Sequence, residues 1–146
     1  MKISFIGTGL MGFPMVKNLL QKKLDLKIFS RTLEKAKPLE KFGGKIISSL
    51  SEAVKDTDIV FTMLTDDDAV VKVLSNEEFL NNLKPSSTVI DMSSINPNVA
   101  IKYGKLLSGK NLNLLDVKKD FLKVKCIILF YIFDEKVFQM DSVLFL

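Results

Sequence analysis

Phe5-Ile6-Gly7-Thr8-Gly9-Leu10-Met11-Gly12-Phe13-Pro14-Met15-Val16-Lys17-Asn18-Leu19 sets a glycine-rich turn between an apolar run and an amphipathic segment. Ile3, Phe5 and Ile6 read as a short buried strand, while Met11, Met15, Val16, Leu19 and Leu20 recur at helical spacing. Between them Gly7, Gly9 and Gly12 give G-x-G-x-x-G in the strand–turn–helix order that cradles a dinucleotide. Gly7 permits the tight turn, Gly9 leaves bare backbone for a pyrophosphate, and Gly12 lets the helix lie close to the sheet. The helix N-terminus adds backbone N–H donors and the positive end of a dipole. Pro14 is tolerated because it falls in the first turn, where little hydrogen bonding is lost. Thr8, Leu10 and Met11 complete the loop and join the three glycines as cofactor-binding candidates. A merely structural glycine turn is the competing reading, and the placement between strand and helix argues against it.

The chain has 21 basic and 17 acidic residues, a formal net charge of +4, yet a single arginine, Arg31. It follows the second apolar run (Leu26, Ile28, Phe29) in Ser30-Arg31-Thr32, with Lys35 one turn later. An NAD-selective site places Asp or Glu near this point to accept a hydrogen bond from the ribose 2′-hydroxyl. Here no acid would repel a 2′-phosphate, and guanidinium offers a planar fork that lysine lacks. Ser30, Arg31 and Thr32 therefore predict NADP, with NADPH preferred over NADH. An ordinary surface cation is the alternative, and it sits poorly with a chain that uses lysine everywhere else.

At 146 residues the chain is one domain by length. A chain of this size buries about 68–70% of its unfolded surface, enough for a true core. Hydrophobic content of 47% and charged content of 26% are ordinary globular values. The basic residues are dispersed without aromatic interleaving, which argues against a nucleic-acid partner. The absence of His excludes Ser–His and Cys–His catalysis and the common His-ligated metal sites, so no metal is expected. The single Cys126 excludes an internal disulfide, fits a reducing cytoplasm, and reads as a buried thiol within an apolar run. Lys2 and the apolar residues after it imitate a signal peptide, but the glycines interrupt the apolar stretch. The run 126–133 falls far short of the roughly 20 residues that span a bilayer. The expectation is a cytoplasmic protein with no membrane partner.

Strand and helix signals alternate along the chain. A helix is predicted over 33–42, weakened by Pro38 and stopped by Gly43-Gly44, then a strand at 45–47. Ser49-x-x-Glu52 is a capping-box signature for a brief helix. Residues 58–64 read as a buried central strand, and Asp66-Asp67-Asp68 as the capped, solvated start of a helix rather than a metal site. A strand at 88–91, a helix over 97–108 and a strand at 112–116 follow. The fold class is α/β: a doubly wound, Rossmann-like, mostly parallel sheet whose ligand sits at the carboxyl ends of the strands. Those ends are Gly7–Gly12, Ser30–Thr32, Met63-Leu64-Thr65 and Asp91–Ser94. All seven glycines and all four prolines lie at or before Gly109, and beyond Val117 the character changes. Residues 126–133 suggest an apolar strand and aggregation-prone edge, and 134–144 a short helix.

Taken together, Phe5-Ile6-Gly7-x-Gly9-x-Met11-Gly12-x-x-Met15-x-x-Asn18-Leu19 resembles the opening signature of the β-hydroxyacid dehydrogenases. That family spans 3-hydroxyisobutyrate dehydrogenases, semialdehyde reductases and, more distantly, 6-phosphogluconate dehydrogenases. Ser30-Arg31-Thr32 resembles the strand ending of NADP-using members. Met63-Leu64-Thr65-Asp66 is similar to the loop beside the adenosine diphosphate, and Asp91-Met92-Ser93-Ser94 to the segment meeting the nicotinamide ribose, with Ser94 as the contact. The resemblance implies hydride transfer between nicotinamide and a 3-hydroxy acid or small semialdehyde. It leans toward the NADPH-dependent glyoxylate and succinic semialdehyde type.

The resemblance is close over 1–116, the expected NADP-binding domain, and diverges over 117–146. The family carries a Pro-Val-Ser-Gly-Gly loop for the substrate carboxylate where this chain has Val117-Lys118-Lys119-Asp120. The family's helical second domain, with its catalytic lysine, has no counterpart here, so no catalytic residue is assigned. Three expectations follow. A truncated cofactor domain would bind dinucleotide with negligible turnover. A short enzyme would take its missing half from another chain, a homo-oligomeric partner included. A non-catalytic sensing module would bind NADPH without reductase activity.

Overall fold

The computed structural model describes residues 1–116. Six strands form one all-parallel sheet: β1 (Ile3–Ile6), β2 (Leu26–Phe29), β3 (Lys45–Ile47), β4 (Ile59–Thr62), β5 (Thr88–Asp91) and β6 (Asn113–Asp116). Their order is β3-β2-β1-β4-β5-β6. The connections carry α1 (Gly12–Gln21), α2 (Leu33–Ala36), α3 (Leu50–Val54), α4 (Asp67–Leu74), α5 (Glu77–Asn82) and α6 (Pro97–Ser108). The chain winds outward from β1 to β3, returns to the centre at β4, and winds outward on the other side. This is the expected doubly wound sheet, with its reversal point between β1 and β4.

Successive strand residues point to opposite faces, so an apolar run with no polar alternation supplies two cores at once. Phe5 and Phe61 face one layer, with Val16, Leu19 and Leu20 of α1 and with Ile28 and Leu39. Ile6 and Val60 face the other, with Val70, Leu74, Phe79, Val89, Tyr103 and Leu107. The central strand β1 is buried throughout.

Several local expectations change in the folded chain. The helix over 33–42 is two pieces, α2 and a 3₁₀ turn at Lys37–Phe42, with Pro38 in the first turn of the second. Proline lacks the N–H that a continuous α-helix needs there. Gly43 ends the turn at φ +87, a left-handed stop that glycine adopts without a Cβ penalty. The capping box at α3 does not form: Ser49 gives α3 no side-chain cap, and its hydroxyl pairs with that of Ser51 at 2.7 Å. Met11 stands outside the α1 core stripe and is exposed, while Met15 is partly buried. The strand expected at 58–64 is confined to Ile59–Thr62. Helix α5 has no counterpart in the sequence reading. The strand suggested at 126–133, the helix at 134–144 and the Cys126 thiol lie outside the described residues.

Candidate dinucleotide site

The turn after β1 is built by steric necessity. Gly7 has φ +101 and packs against the Met63 backbone of the β4 exit, where a Cβ would collide with the Met63 carbonyl oxygen. A Cβ on Gly12 would collide with the Gly7 carbonyl oxygen and press on the Phe5 ring at 3.3 Å. These two positions let the chain reverse from strand to helix within one tight loop. Gly9 is different: nothing lies within 4 Å of where its Cβ would be. Its missing side chain therefore leaves free space beside bare backbone rather than relieving an internal clash.

Helix α1 opens on this loop with no side-chain cap at Met11 and no acidic residue in its first turn. The α4, α5 and α6 N-termini are each capped, by Asp66, Asn76 and Asn96, while the short α2 and α3 share α1's lack of a side-chain cap. The α1 N-terminus thus keeps backbone donors and the positive dipole end for something other than its own side chains. These features fit the pyrophosphate of a dinucleotide.

The other predicted positions gather along the same sheet edge. Gly7 N–H donates to the Phe29 carbonyl at 2.9 Å, which sets the β2 exit, and with it Ser30-Arg31-Thr32, beside the glycine loop. Ser30 is buried, whereas Arg31 and Thr32 are exposed. Met63 N–H donates to the Ile6 carbonyl at 2.9 Å, so Met63-Leu64-Thr65 flanks the loop on its other side. Ser94 lies exposed one strand further out, after β5. Within the loop Leu10 is 94% exposed and Met11 59%, two apolar side chains turned to solvent. Thr8 is buried, and its hydroxyl has no partner among the described residues.

The acidic triplet has a structural explanation. The Asp66 carboxylate accepts from Ala69 N–H at 2.8 Å and from the Thr65 hydroxyl at 2.9 Å. These two bonds, in that order, hold its pKa below the ordinary carboxylate value, and the positive charge of Arg31 acts in the same direction. Asp67 accepts from the Asn96 N–H at 2.8 Å. Thr65, Asp66, Asp67, Asp68, Ser94 and Asn96 line an open depression between the β4–α4 and β5–α6 loops. Its three carboxylates make this part of the edge acidic.

The segment Asp91–Ser94, expected at a ligand-bearing strand end, holds a hydrogen-bonded cluster that the sequence reading did not resolve. Asp91 is 1% exposed, and its Oδ1 accepts from the Thr62 hydroxyl at 2.8 Å, the Ser93 hydroxyl at 2.6 Å and Ser93 N–H at 3.1 Å. Ser93 Oγ in turn accepts from Leu64 N–H at 2.9 Å. The sequence signal was the polar Asp-x-Ser at a strand end, where buried polar groups demand partners; only the neighbouring Ser94 was singled out.

Comparison with known proteins agrees with this geometry. Residues 2–118 match the family model of the NAD binding domain of 6-phosphogluconate dehydrogenase. The chain is 35% identical over 116 residues to 3-sulfolactaldehyde reductase of Escherichia coli K12, covering 79% of this chain and 39% of that protein. It is 29% identical over 111 residues to glyoxylate/succinic semialdehyde reductase 1 of Arabidopsis thaliana, covering 75% and 38%. Among solved structures, Mycobacterium tuberculosis 3-hydroxyisobutyrate dehydrogenase superposes with a TM-score of 0.74 at 29% identity, covering 79% of this chain and 39% of that one. An imine reductase from Myxococcus stipitatus in complex with NADP+ gives 0.75 at 26% identity, covering 80% and 40%. The chain therefore spans about 39% of the relatives it matches. A glycine loop at the reversal point of a 3-2-1-4-5-6 parallel sheet, matched over residues 2–118, makes this chain a member of the 6-phosphogluconate dehydrogenase and β-hydroxyacid dehydrogenase family, carrying its NAD-binding domain.

Proposed function

We propose that this chain binds NADP(H) in preference to NAD(H), as the cofactor half of a reductase for small semialdehydes or dehydrogenase for the matching 3-hydroxy acids. The observation that carries the reading is the uncapped α1 N-terminus above a clash-free Gly9, with Arg31 at the neighbouring strand exit. The pyrophosphate would lie on the Gly7–Gly12 backbone. The adenosine 2′-phosphate would meet the Arg31 guanidinium, with Ser30 and Thr32 beside it. Met63, Leu64 and Thr65 would form the wall beside the adenosine diphosphate, and Ser94 would meet the nicotinamide ribose.

The bound cofactor supplies the hydride, and the protein supplies orientation and proton handling. Residues 1–116 offer the first of these. Exposed Leu10 and Met11 give an apolar surface that would exclude water beside the nicotinamide. A positioned proton donor is assigned to none of these residues. Turnover is therefore proposed to need residues beyond this domain, from the same protein or from a partner chain. Semialdehyde chemistry is supported by the reductases to which the chain is similar. The single cysteine supports a reducing, cytoplasmic setting.

The test is a fluorescence titration of the 146-residue chain with NADPH and NADH in parallel. Saturable binding with NADPH at least about tenfold tighter, a difference of about 1.4 kcal/mol, is expected. Equal affinities would overturn the cofactor preference, and no binding of either would overturn the whole reading.

A further inference from the structure

Two walls of the proposed cofactor crevice come from different strands. Met63-Leu64-Thr65 leaves β4, and Met92-Ser93-Ser94 leaves β5. Parallel pairing aligns the strands themselves through Thr62↔Asp91, and the Met92 N–H donates to the Thr62 carbonyl at 2.9 Å. Past that point the backbone ladder ends, and side chains take over the joining of the two exit loops. Further out Asp67 accepts from the Asn96 N–H at 2.8 Å, and nearest the strand ends runs a side-chain relay. Leu64 N–H donates to Ser93 Oγ, and the Ser93 hydroxyl donates to Asp91 Oδ1. Asp91 is itself held by the Thr62 hydroxyl on β4.

The relay has a direction that only one arrangement satisfies. A hydroxyl carries one proton and can accept as well as donate. Since Leu64 N–H fills an acceptor position on Ser93 Oγ, the hydroxyl proton is free to go to Asp91. Three donors converge on Asp91 Oδ1, while Oδ2 is buried with no partner among the described residues. The buried carboxyl is therefore used as a single-point acceptor that orients Ser93. Asp91 and Ser93 are also too buried to form the crevice surface themselves, at 1% and 2% exposure.

From this we infer that Asp91 and Ser93 are positioning residues, which fix the distance between the adenosine-side wall at Leu64 and the nicotinamide-side wall at Ser94. This inference rests on the proposed cofactor reading and deepens it. A ligand that spans both walls benefits from the fixed spacing, because the ordering entropy of the loops has already been spent during folding. A ligand that touches only the adenosine side gains little from it.

The experiment compares two ligands on the full 146-residue chain: NADPH, which spans both walls, and 2′,5′-ADP, its adenosine half. Ser93→Ala is the mild variant, deleting one oxygen. Asp91→Ala removes the acceptor, and Asp91→Asn restores an oxygen where the three donors point. The expected result is an NADPH affinity lowered about tenfold by S93A and D91A, with 2′,5′-ADP held within about twofold and D91N recovering most of the NADPH loss. Far-ultraviolet circular dichroism checks that each variant is folded, and S93A alone decides the matter if D91A is not. Unchanged NADPH binding by folded S93A overturns the inference. So does an equal loss of both ligands, which would mean general loosening. Failure of the wild-type chain to bind NADPH would instead overturn the cofactor reading on which the inference stands.

Discussion

Gly12 sits directly against the Gly7 carbonyl oxygen, so a methyl group on Gly12 would overlap that oxygen. The two glycines of the motif lock each other, whereas Gly9 between them faces open space. Gly12→Ala is expected to destabilise the fold by about 1–3 kcal/mol, the cost of overpacking a closed site. Gly9→Ala is expected to leave the melting temperature nearly unchanged and yet to weaken NADPH binding, since its methyl would project into the space assigned to the pyrophosphate. Thermal melts and cofactor titrations of both variants separate the two roles. A strongly destabilised G9A with intact binding would contradict the assignment.

Arg31 is the single arginine of the chain and stands exposed at the β2 exit. Arg31→Ala is expected to weaken NADPH binding by about 1.5–3 kcal/mol, the range for hydrogen bonds to charged groups, and to leave NADH nearly unaffected. Arg31→Lys is expected to recover only part of the loss, because an ammonium cannot reproduce the planar fork. Parallel titrations of both cofactors are the check. Equal losses for NADPH and NADH would contradict a 2′-phosphate contact.

Phe79 is completely buried in the layer formed with Val54, Val60 and Leu74. Phe79→Ala removes a large side chain from a packed core and is expected to cost about 3–5 kcal/mol of stability. Urea denaturation measures it. A loss below about 1 kcal/mol would mean that α5 contributes little to this layer.

Acid is expected to destabilise the domain through surface carboxylates. Asp58 accepts from the Lys84 ammonium at 2.6 Å and from the Lys2 N–H at 2.8 Å, and these bonds hold its pKa below 3.8. Asp25 is likewise lowered, chiefly by its bond to Lys45 at 2.7 Å. A carboxyl whose pKa is lower in the folded state stabilises the fold above its unfolded value. That contribution disappears as pH falls through the folded value. The melting temperature should therefore stay flat down to about pH 5 and fall below about pH 4, and Asp58→Asn should make the fall shallower. An unchanged slope in that variant would contradict a native-state role for the ion pair, which is exposed and therefore weak.

The frame of this fold was legible because its signals are local and periodic. Ile3–Ile6, Thr88–Asp91 and Pro97–Ser108 form where apolar spacing, an Asn-Pro start and a following glycine mark them. The misreadings arose where a local signature met a competing local arrangement. Ser49 and Glu52 had the spacing of a capping box, but the Ser49 hydroxyl found Ser51, and Glu52 lies 3.9 Å from Lys55. Met11 fitted the helical stripe by number, yet it precedes α1 and turns to solvent. The glycine loop was legible because few other roles require G-x-G-x-x-G between a strand and a helix, and Arg31 stood out as the single arginine of the chain. The Asp91–Ser93–Leu64 relay did not, because it depends on which strand exits become neighbours, and that follows from topology rather than spacing.

The central claim is that a dinucleotide lies across the carboxyl edge of this sheet. Amide chemical-shift mapping of the isotopically labelled chain during NADPH titration tests it most directly. The expected result is that perturbations concentrate at Gly7–Gly12, Ser30–Thr32, Met63–Thr65 and Ser94, and that the Arg31 perturbation disappears when NADH replaces NADPH. Perturbations centred on the opposite edge of the sheet, or none at saturating cofactor, would contradict it.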